Sequence, residues 1–238
     1  CNVPPPAIMD RNLGAPDVNY HGSSTGSIYY QFGRKDPFEG GTLYKPDGTT
    51  VSISNIAWNS DVITTKSSDK GKNVPYSIQN PLNFITGTAW TTGDQYCPVD
   101  GGDFLWQDPK SVPSADGKVK KSIFDPCPSG WMVPVNGMLD GLSTSSMVHS
   151  SKISPMPANG SGRYYYPDTN DKAIYIYFPF IGQRTTSFSN YDGYHWLASP
   201  SATMAHSLQL NNNSNQNPYY ITSERYVGFA VRCIQEYF

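Results

Sequence analysis

Apolar and polar positions alternate with a period of two along much of this 238-residue chain. The segments "SIYYQFG" (27–33), "RYYYPD" (163–168), "KAIYIYFPFIG" (172–182), "HSLQLN" (206–211) and "YVGFAVRCI" (226–234) are short and β-rich, which predicts strands. "AIYIYF" is apolar on both faces and is expected at the centre of a sheet. Helical periodicity is scarce. "VNGMLDGLSTSSMV" (135–148) is the main candidate, and its two glycines make it a poor helix. "NPLNFITG" (80–87) has room for one helical turn. From roughly 36 to 122 the chain is rich in Gly, Pro, Ser and Asp, a length of irregular structure that normally counts against one compact domain. Trp58, Trp90 and Trp106 punctuate it, which predicts loops packed down onto the fold. The expected organisation is therefore one domain, 1–238, with large ordered insertions.

Composition narrows the class. Lys and Arg number 17 against 19 Asp and Glu, a net charge of -2, so no basic excess points to nucleic acid. "KVKK" (118–121) is the densest basic stretch, and it is short enough for a solvated turn. Charged residues make up 15% of the chain, against about 25% in ordinary globular proteins. Tyr, Asn and Ser take their place, with 21 Gly and 20 Pro. Such a chain looks extracellular, with long ordered loops of the residues that binding surfaces favour. No apolar run approaches the ~18 residues of a transmembrane helix. The chain starts at Cys1 with no signal peptide, which reads as a mature form or an excised fragment.

Cys1, Cys97, Cys127 and Cys233 show no C-x-x-C pair and no zinc-ligand spacing. Their even number in this composition predicts two disulfides. Spacing alone leaves all three pairings open. Cys127–Cys233 with Cys1–Cys97 is the favoured one, each closing a loop of about 100 residues for up to about 4.7 kcal/mol. An alternative for Cys1 is lipidation at a mature N-terminus, although "VPPPAIMD" follows it with little tether.

Motifs for chemistry are nearly empty. "GSSTG" (22–26) matches G-x-S-x-G, but a strand-like segment follows it where the nucleophile elbow needs a helix. His21, His149, His195 and His206 lack the i, i+4 spacing of a metalloprotease helix. "DTND" (168–171), "DGGD" (100–103) and "SSDKGKN" (67–73) are oxygen-rich without EF-hand spacing and read as ordinary turns. No phosphate cradle or dinucleotide fingerprint is present. This emptiness favours a binding protein over an enzyme.

Five segments, in order, carry a resemblance: "IMDRNLGA" (8–15), "YYQFGRKDPF" (29–38), "FDPCPSGWMVP" (124–134), "YHWLASPSATMAHSLQL" (194–210) and "VGFAVRC" (227–233). Together they resemble the surface-exposed domain of fimbrillin-like and major-paralogous-domain proteins of gut Bacteroidetes, whose C-terminal part resembles the C-type lectin-like fold. The resemblance implies a β-rich, disulfide-stapled α+β fold with few helices. It places a lectin-like core at roughly 123–238 and insertions at roughly 36–122. It implies that the last strand lies centrally in a small antiparallel sheet, with Cys233 tied to Cys127 at the entry to the main helix. Met132, where the family usually has Arg, and "HWLASP", in place of "YWSS", depart from its pattern and put a local polar contact in doubt.

The resemblance also implies extracellular display, on the outer membrane or a pilus of a Gram-negative bacterium, with recognition through loops. The expected contact surface is "SFSNYDGYH" (187–195) and "NNNSNQNPYYITSERY" (211–226). Its candidate residues are Asn190, Tyr191, Asp192, Tyr194, His195, Asn211, Asn212, Asn213, Tyr219, Tyr220, Glu224 and Arg225. Tyr offers rings with a polar tip, and Asn offers paired donors and acceptors. "EPN", "QPD" and "WND" are absent, so any sugar binding is expected without calcium, and no metal or cofactor is expected. The expected function is a non-catalytic adhesin-type domain whose partners are a host or bacterial surface protein or glycan, with pilin subunits as further partners. Two alternatives use the same scaffold. One is a retroelement-diversified binding protein with hypervariable loops. The other is a formylglycine-generating-type enzyme, which needs a reactive thiol pair.

Overall fold

The computed structural model describes residues 7–15, 28–39, 42–44, 50–52, 63–64, 73–81, 83–86, 103–108, 119–142, 149–152, 162–166, 175–185, 188–189, 192–211 and 218–236. In chain order the strands are β1 (Ile28–Gln31), β2 (Phe38–Glu39), β3 (Thr42–Tyr44), β4 (Thr50–Ser52), β5 (Ile63–Thr64), β6 (Ile85–Thr86), β7 (Trp131–Met132), β8 (His149–Lys152) and β9 (Gly162–Tyr166). They continue as β10 (Ile176–Pro179), β11 (Gln183–Arg184), β12 (Phe188–Ser189), β13 (Gly193–Ser201), β14 (Met204–Leu210), β15 (Tyr219–Glu224), β16 (Gly228–Phe229) and β17 (Ile234–Gln235). One α-helix, α1 (Asn73–Gln79), lies among the described residues. The fold is thus β-rich α+β. Cys1, Cys97, Trp58, Trp90 and the "GSSTG" stretch lie outside the described residues.

The strands form a five-stranded sheet in the order β12-β11-β16-β1-β2 and two three-stranded sheets, β10-β9-β8 and β13-β14-β15. Antiparallel β17–β7 and β3–β4 and parallel β5–β6 are separate pairs. β13 and β14 lie between two apolar clusters. Trp196, Ala198 and Ala205 join Phe32, Trp106, Phe229 and Val231 on one side. Leu197, Leu208 and Leu210 join Tyr165, Phe178, Phe180 and Ile234 on the other. Alternation along a strand sends neighbouring side chains to opposite faces, so one pair of strands supplies both clusters. Trp106 is fully buried against Phe32 at 5.0 Å, and its indole N–H donates to the Arg34 carbonyl at 3.2 Å, which packs its loop onto the core as expected.

The 226–236 segment connects these layers. Gly228 and Phe229 pair with β1, and Gly228 also pairs with Arg184 of β11. At Ala230 the partner changes: its N–H donates to the Tyr194 carbonyl at 3.2 Å and its carbonyl accepts from Trp196 at 2.9 Å. The carbonyls of Val231 and Cys233 then accept the N–H groups of Leu13 and Met9 at 2.8 and 2.9 Å. Ile234 pairs with Met132 of β7 on one side and with Ile8 on the other. The expected single strand is therefore two short ones, because the backbone changes partners every two or three residues.

Cys233 is bonded to Cys127, across a separation of 106 residues and a Cα–Cα distance of 6.0 Å. The loop bearing Cys127 is braced from inside. Asp125 is buried, and its carboxylate accepts the N–H groups of Cys127 at 2.7 Å and Val133 at 2.9 Å. The Lys121 ammonium donates to the carbonyls of Cys127, Pro128 and Trp131 at 2.7–2.9 Å. Arg232 is fully buried beside the disulfide. Its guanidinium donates to Asn12 Oδ1, the Met9 carbonyl and the Tyr177 carbonyl at 2.8, 3.0 and 2.7 Å, and it lies 4.2 Å from the centre of the Phe178 ring. Burial lowers its pKa to about 9.

Two expectations are corrected. Of the expected 135–148 helix, 143–148 lies outside the described residues, and 135–142 is a chain of turns with i→i+3 bonds, Met138 to Val135, Asp140 to Gly137 and Leu142 to Leu139, and not an α-helix. Gly137 adopts φ +91, which an α-helix does not accommodate. The helix forms instead at Asn73–Gln79, with Pro75 in the first turn, where its missing N–H costs nothing. Nor is β10 central: β9 is, and β10 is at the edge of its described sheet. Its two apolar faces arise because Phe178 enters the core while Tyr177 lies under other tyrosines.

Replacing both cysteines in Cys127→Ser/Cys233→Ser is expected to lower the unfolding free energy by about 2–5 kcal/mol in urea titrations. Burial pushes Asp125 up to about 7, against the opposing N–H bonds from Val133 and Cys127. Between pH ~4 and ~7 the folded state then retains a proton that the unfolded chain has released. Stability from this group is full below pH ~4 and falls as pH rises to ~7. Asp125→Asn should flatten that slope in thermal melts across the range, at lower absolute stability, because its amide cannot accept both N–H groups.

Candidate functional site

The β13-β14-β15 sheet lines up one row of side chains at its end. Tyr194 faces Gln209, and Gln209 faces Tyr219. Asp192, one residue ahead of β13, closes the row: its carboxylate accepts from Gln209 Nε2 at 2.7 Å and from the Tyr194 hydroxyl at 3.3 Å. Gln209 Nε2 also donates to the Tyr194 hydroxyl at 3.1 Å. The Tyr194 ring stacks on Phe229, centroids 5.0 Å apart and 13° from parallel. Burial, then the Asp192 carboxylate, push its phenol up to about 12, so it stays a neutral donor. Asp192 is itself positioned by the backbone, its carbonyl accepting the Gly182 N–H at 2.7 Å. Tyr219 is 39% exposed on the outermost described strand of this sheet, while Asp192, Tyr194 and Gln209 are half-buried. The row is a neutral aromatic and amide surface with one carboxylate.

The remaining expected contact residues separate. Asn190, Tyr191, Asn212 and Asn213 lie outside the described residues. Asn211 is half-buried, and its carbonyl accepts from Arg163 Nη2 at 3.1 Å. Tyr220 points to the opposite face, into the second apolar cluster, where its hydroxyl lies beside Asp140. Glu224 is half-buried opposite Met204.

Two candidates belong to the scaffold. His195 is fully buried and touches Phe178 edge-on at 5.1 Å. The Asn12 atom that takes the Arg232 Nε–H, a group that only donates, is its oxygen, so His195 donates to the same oxygen from Nε2 at 3.2 Å. Burial and the nearby Arg232 hold its pKa well below the usual range, so the ring is neutral. Arg225 is buried. It binds the carbonyls of Met204 and Ala202 at 2.9 and 2.8 Å, and it pairs with Asp103. Ala202 holds φ +49 in the turn between β13 and β14, and Arg225 braces that strained turn. Their positions in loop-like sequence concealed both roles, because the partners lie over 20 residues away in sequence or on other strands.

Gln209 was missed. The available signal was an amide flanked by Leu208 and Leu210 in "HSLQLN", which places it on the face opposite two core leucines. A separate cleft of about 460 Å³ is lined by the 8–15 segment and Trp131, and none of the expected contact residues among the described ones lines it.

No family model, curated protein or solved structure matches this chain.

Asp192→Asn should lower the Tyr194 phenol pKa from about 12 without restoring the ordinary 10, because burial remains the larger cause. Ultraviolet titration against a Tyr194→Phe control measures it; an unchanged value would remove Asp192 from the row.

Proposed function

We propose that this chain is a non-catalytic ligand-binding domain of adhesin type, with a C-type lectin-like architecture, displayed outside the cell on the outer membrane or a pilus. The observation that carries the reading is the Asp192–Tyr194–Gln209–Tyr219 row. It lies on strands anchored between both apolar clusters, at the end of the sheet from which the Asn- and Tyr-rich 187–192 and 211–218 stretches of the sequence run. Fixed aromatic rings beside an Asn-rich sequence match the composition of a recognition surface. Aromatic rings already fixed by stacking lose little freedom when a ligand covers them.

The scaffold features agree with that role. Cys127 and Cys233 are joined to each other, which takes both out of a reactive thiol pair in this state. His195 is buried and neutral, and so takes no part at the rim. The ligand class is a surface protein or a glycan, contacted by ring faces and neutral hydrogen bonds.

A combined glycan and protein array should return hits for the wild-type chain. Tyr219→Ala should weaken each rim-dependent hit about fivefold or more, as loss of an anchor does, while leaving the melting temperature nearly unchanged because the ring is partly exposed. An array without hits of either class would overturn the proposal.

A further inference from the structure

β9 and β10 carry a second set of aromatic rings. Tyr164 faces Tyr177 across the pair, and Gly162 faces Pro179. Alternation sends Gly162, Tyr164 and Tyr166, with Tyr175, Tyr177 and Pro179, to one face. The other face carries Tyr165 and Phe178 into the core cluster. The tyrosine face is therefore the outer one.

The rings brace one another. Tyr164 lies 5.0 Å from Tyr177, 4.7 Å from Tyr175 at 81°, and 6.1 Å from Tyr166; Tyr166 lies 6.4 Å from Tyr175. Tyr177 forms the buried floor. Gly162 makes room for it, since a Cβ there would stand 2.4 Å from the Tyr177 hydroxyl. Tyr175 is 39% exposed, and Tyr164 and Tyr166 are half-buried above that floor. Burial and the neighbouring phenols of Tyr175 and Tyr166 raise the Tyr164 pKa, which keeps its hydroxyl neutral. On the third strand, β8 sets Ser151 opposite Tyr164 and His149 opposite Tyr166. None of these positions holds Asp, Glu, Lys or Arg.

These distances decide what the face can bind. Rings 4.7–6.4 Å apart touch each other and leave no space between them for a cation, so this is a platform and not an aromatic cage. Without Asp, Glu, Lys or Arg among these positions, the described rows offer little to compensate the desolvation of a charged partner. What remains is ring faces edged by neutral hydroxyls that both donate and accept. Pyranose rings match that pattern, with a C–H face and a hydroxyl rim. We propose that the outer face of β9 and β10 is a binding platform for uncharged glycans, with Tyr166 and Tyr175 as its exposed anchors and Tyr164 and Tyr177 as its support. It shares no residue with the Tyr194–Tyr219 row and stands whether or not that row binds a ligand.

The test is calorimetric titration of the full chain with neutral gluco-, galacto-, manno- and N-acetylglucosamine oligosaccharides, alongside an anionic polysaccharide. Wild type is expected to bind at least one neutral member. Tyr175→Ala and Tyr166→Ala should each weaken that binding at least about fivefold. Ile123→Ala, at an exposed position outside both tyrosine sets, should leave it unchanged. Tyr166→Phe should give an intermediate loss if the hydroxyl takes part, and circular dichroism melts should show all variants folded. The proposal is overturned if no neutral oligosaccharide binds, if only the anionic polymer or a protein ligand depends on Tyr175, or if both Ala variants bind as wild type. Binding lost in Tyr219→Ala but kept in Tyr175→Ala would also overturn it while leaving the row intact.

Discussion

The rest of the structure depends on how the backbone of 226–236 is hydrogen-bonded. A buried strand must satisfy every N–H and C=O, and here no single neighbour does so. β1 and β11 serve Gly228, β13 serves Ala230, the 7–15 segment serves Val231 and Cys233, and β7 serves Ile234. Each of these segments is thereby fixed relative to the others. The disulfide and the Arg232 guanidinium reinforce the same few residues. The bond ties the segment to the 125–133 loop, and the guanidinium ties it to the 7–15 segment and β10.

This arrangement explains why Arg232 is tolerated in the core. An isolated buried charge is costly. Here two carbonyls and the Asn12 oxygen take the donors, and a ring face covers the plane. Asn12 also accepts from His195, so one side-chain oxygen connects the N-terminal segment, β13 and the 226–236 segment. The same logic recurs at Gln31. Its amide donates to the carbonyls of Ile85 and Tyr226, and its oxygen accepts from Arg34 and the Ile85 N–H. Hydrogen-bonded polar groups at the junctions specify one packing of short strands that propensity alone would leave loose.

Among the described residues, Arg34, Arg225 and Arg232 are buried and bonded to partners within the fold. Tyr219 and Tyr175 are large exposed side chains; Tyr175 flanks the tyrosine face of β9 and β10, and Tyr219 lies on the sheet face that carries Tyr194. Strands anchored in the core present such rings in fixed positions.

The sequence by itself determined the strand-rich class and the approximate position of β1, β9, β10 and β14, because alternation is a local pattern. The Cys127–Cys233 pairing followed from resemblance and not from spacing. Tertiary structure alone decided the rest. Gly137 adopts a left-handed φ that converts the expected helix into turns, and the 226–234 strand divides where its hydrogen-bond partners change. His195 and Arg225 read as rim residues because burial is set by elements distant in sequence: Asn12 and Arg232 for one, Asp103 and the 202–204 turn for the other. Gln209 and the tyrosine face of β9 and β10 became visible only through register, since a period of two says which residues share a face of a strand but not which strand lies beside it.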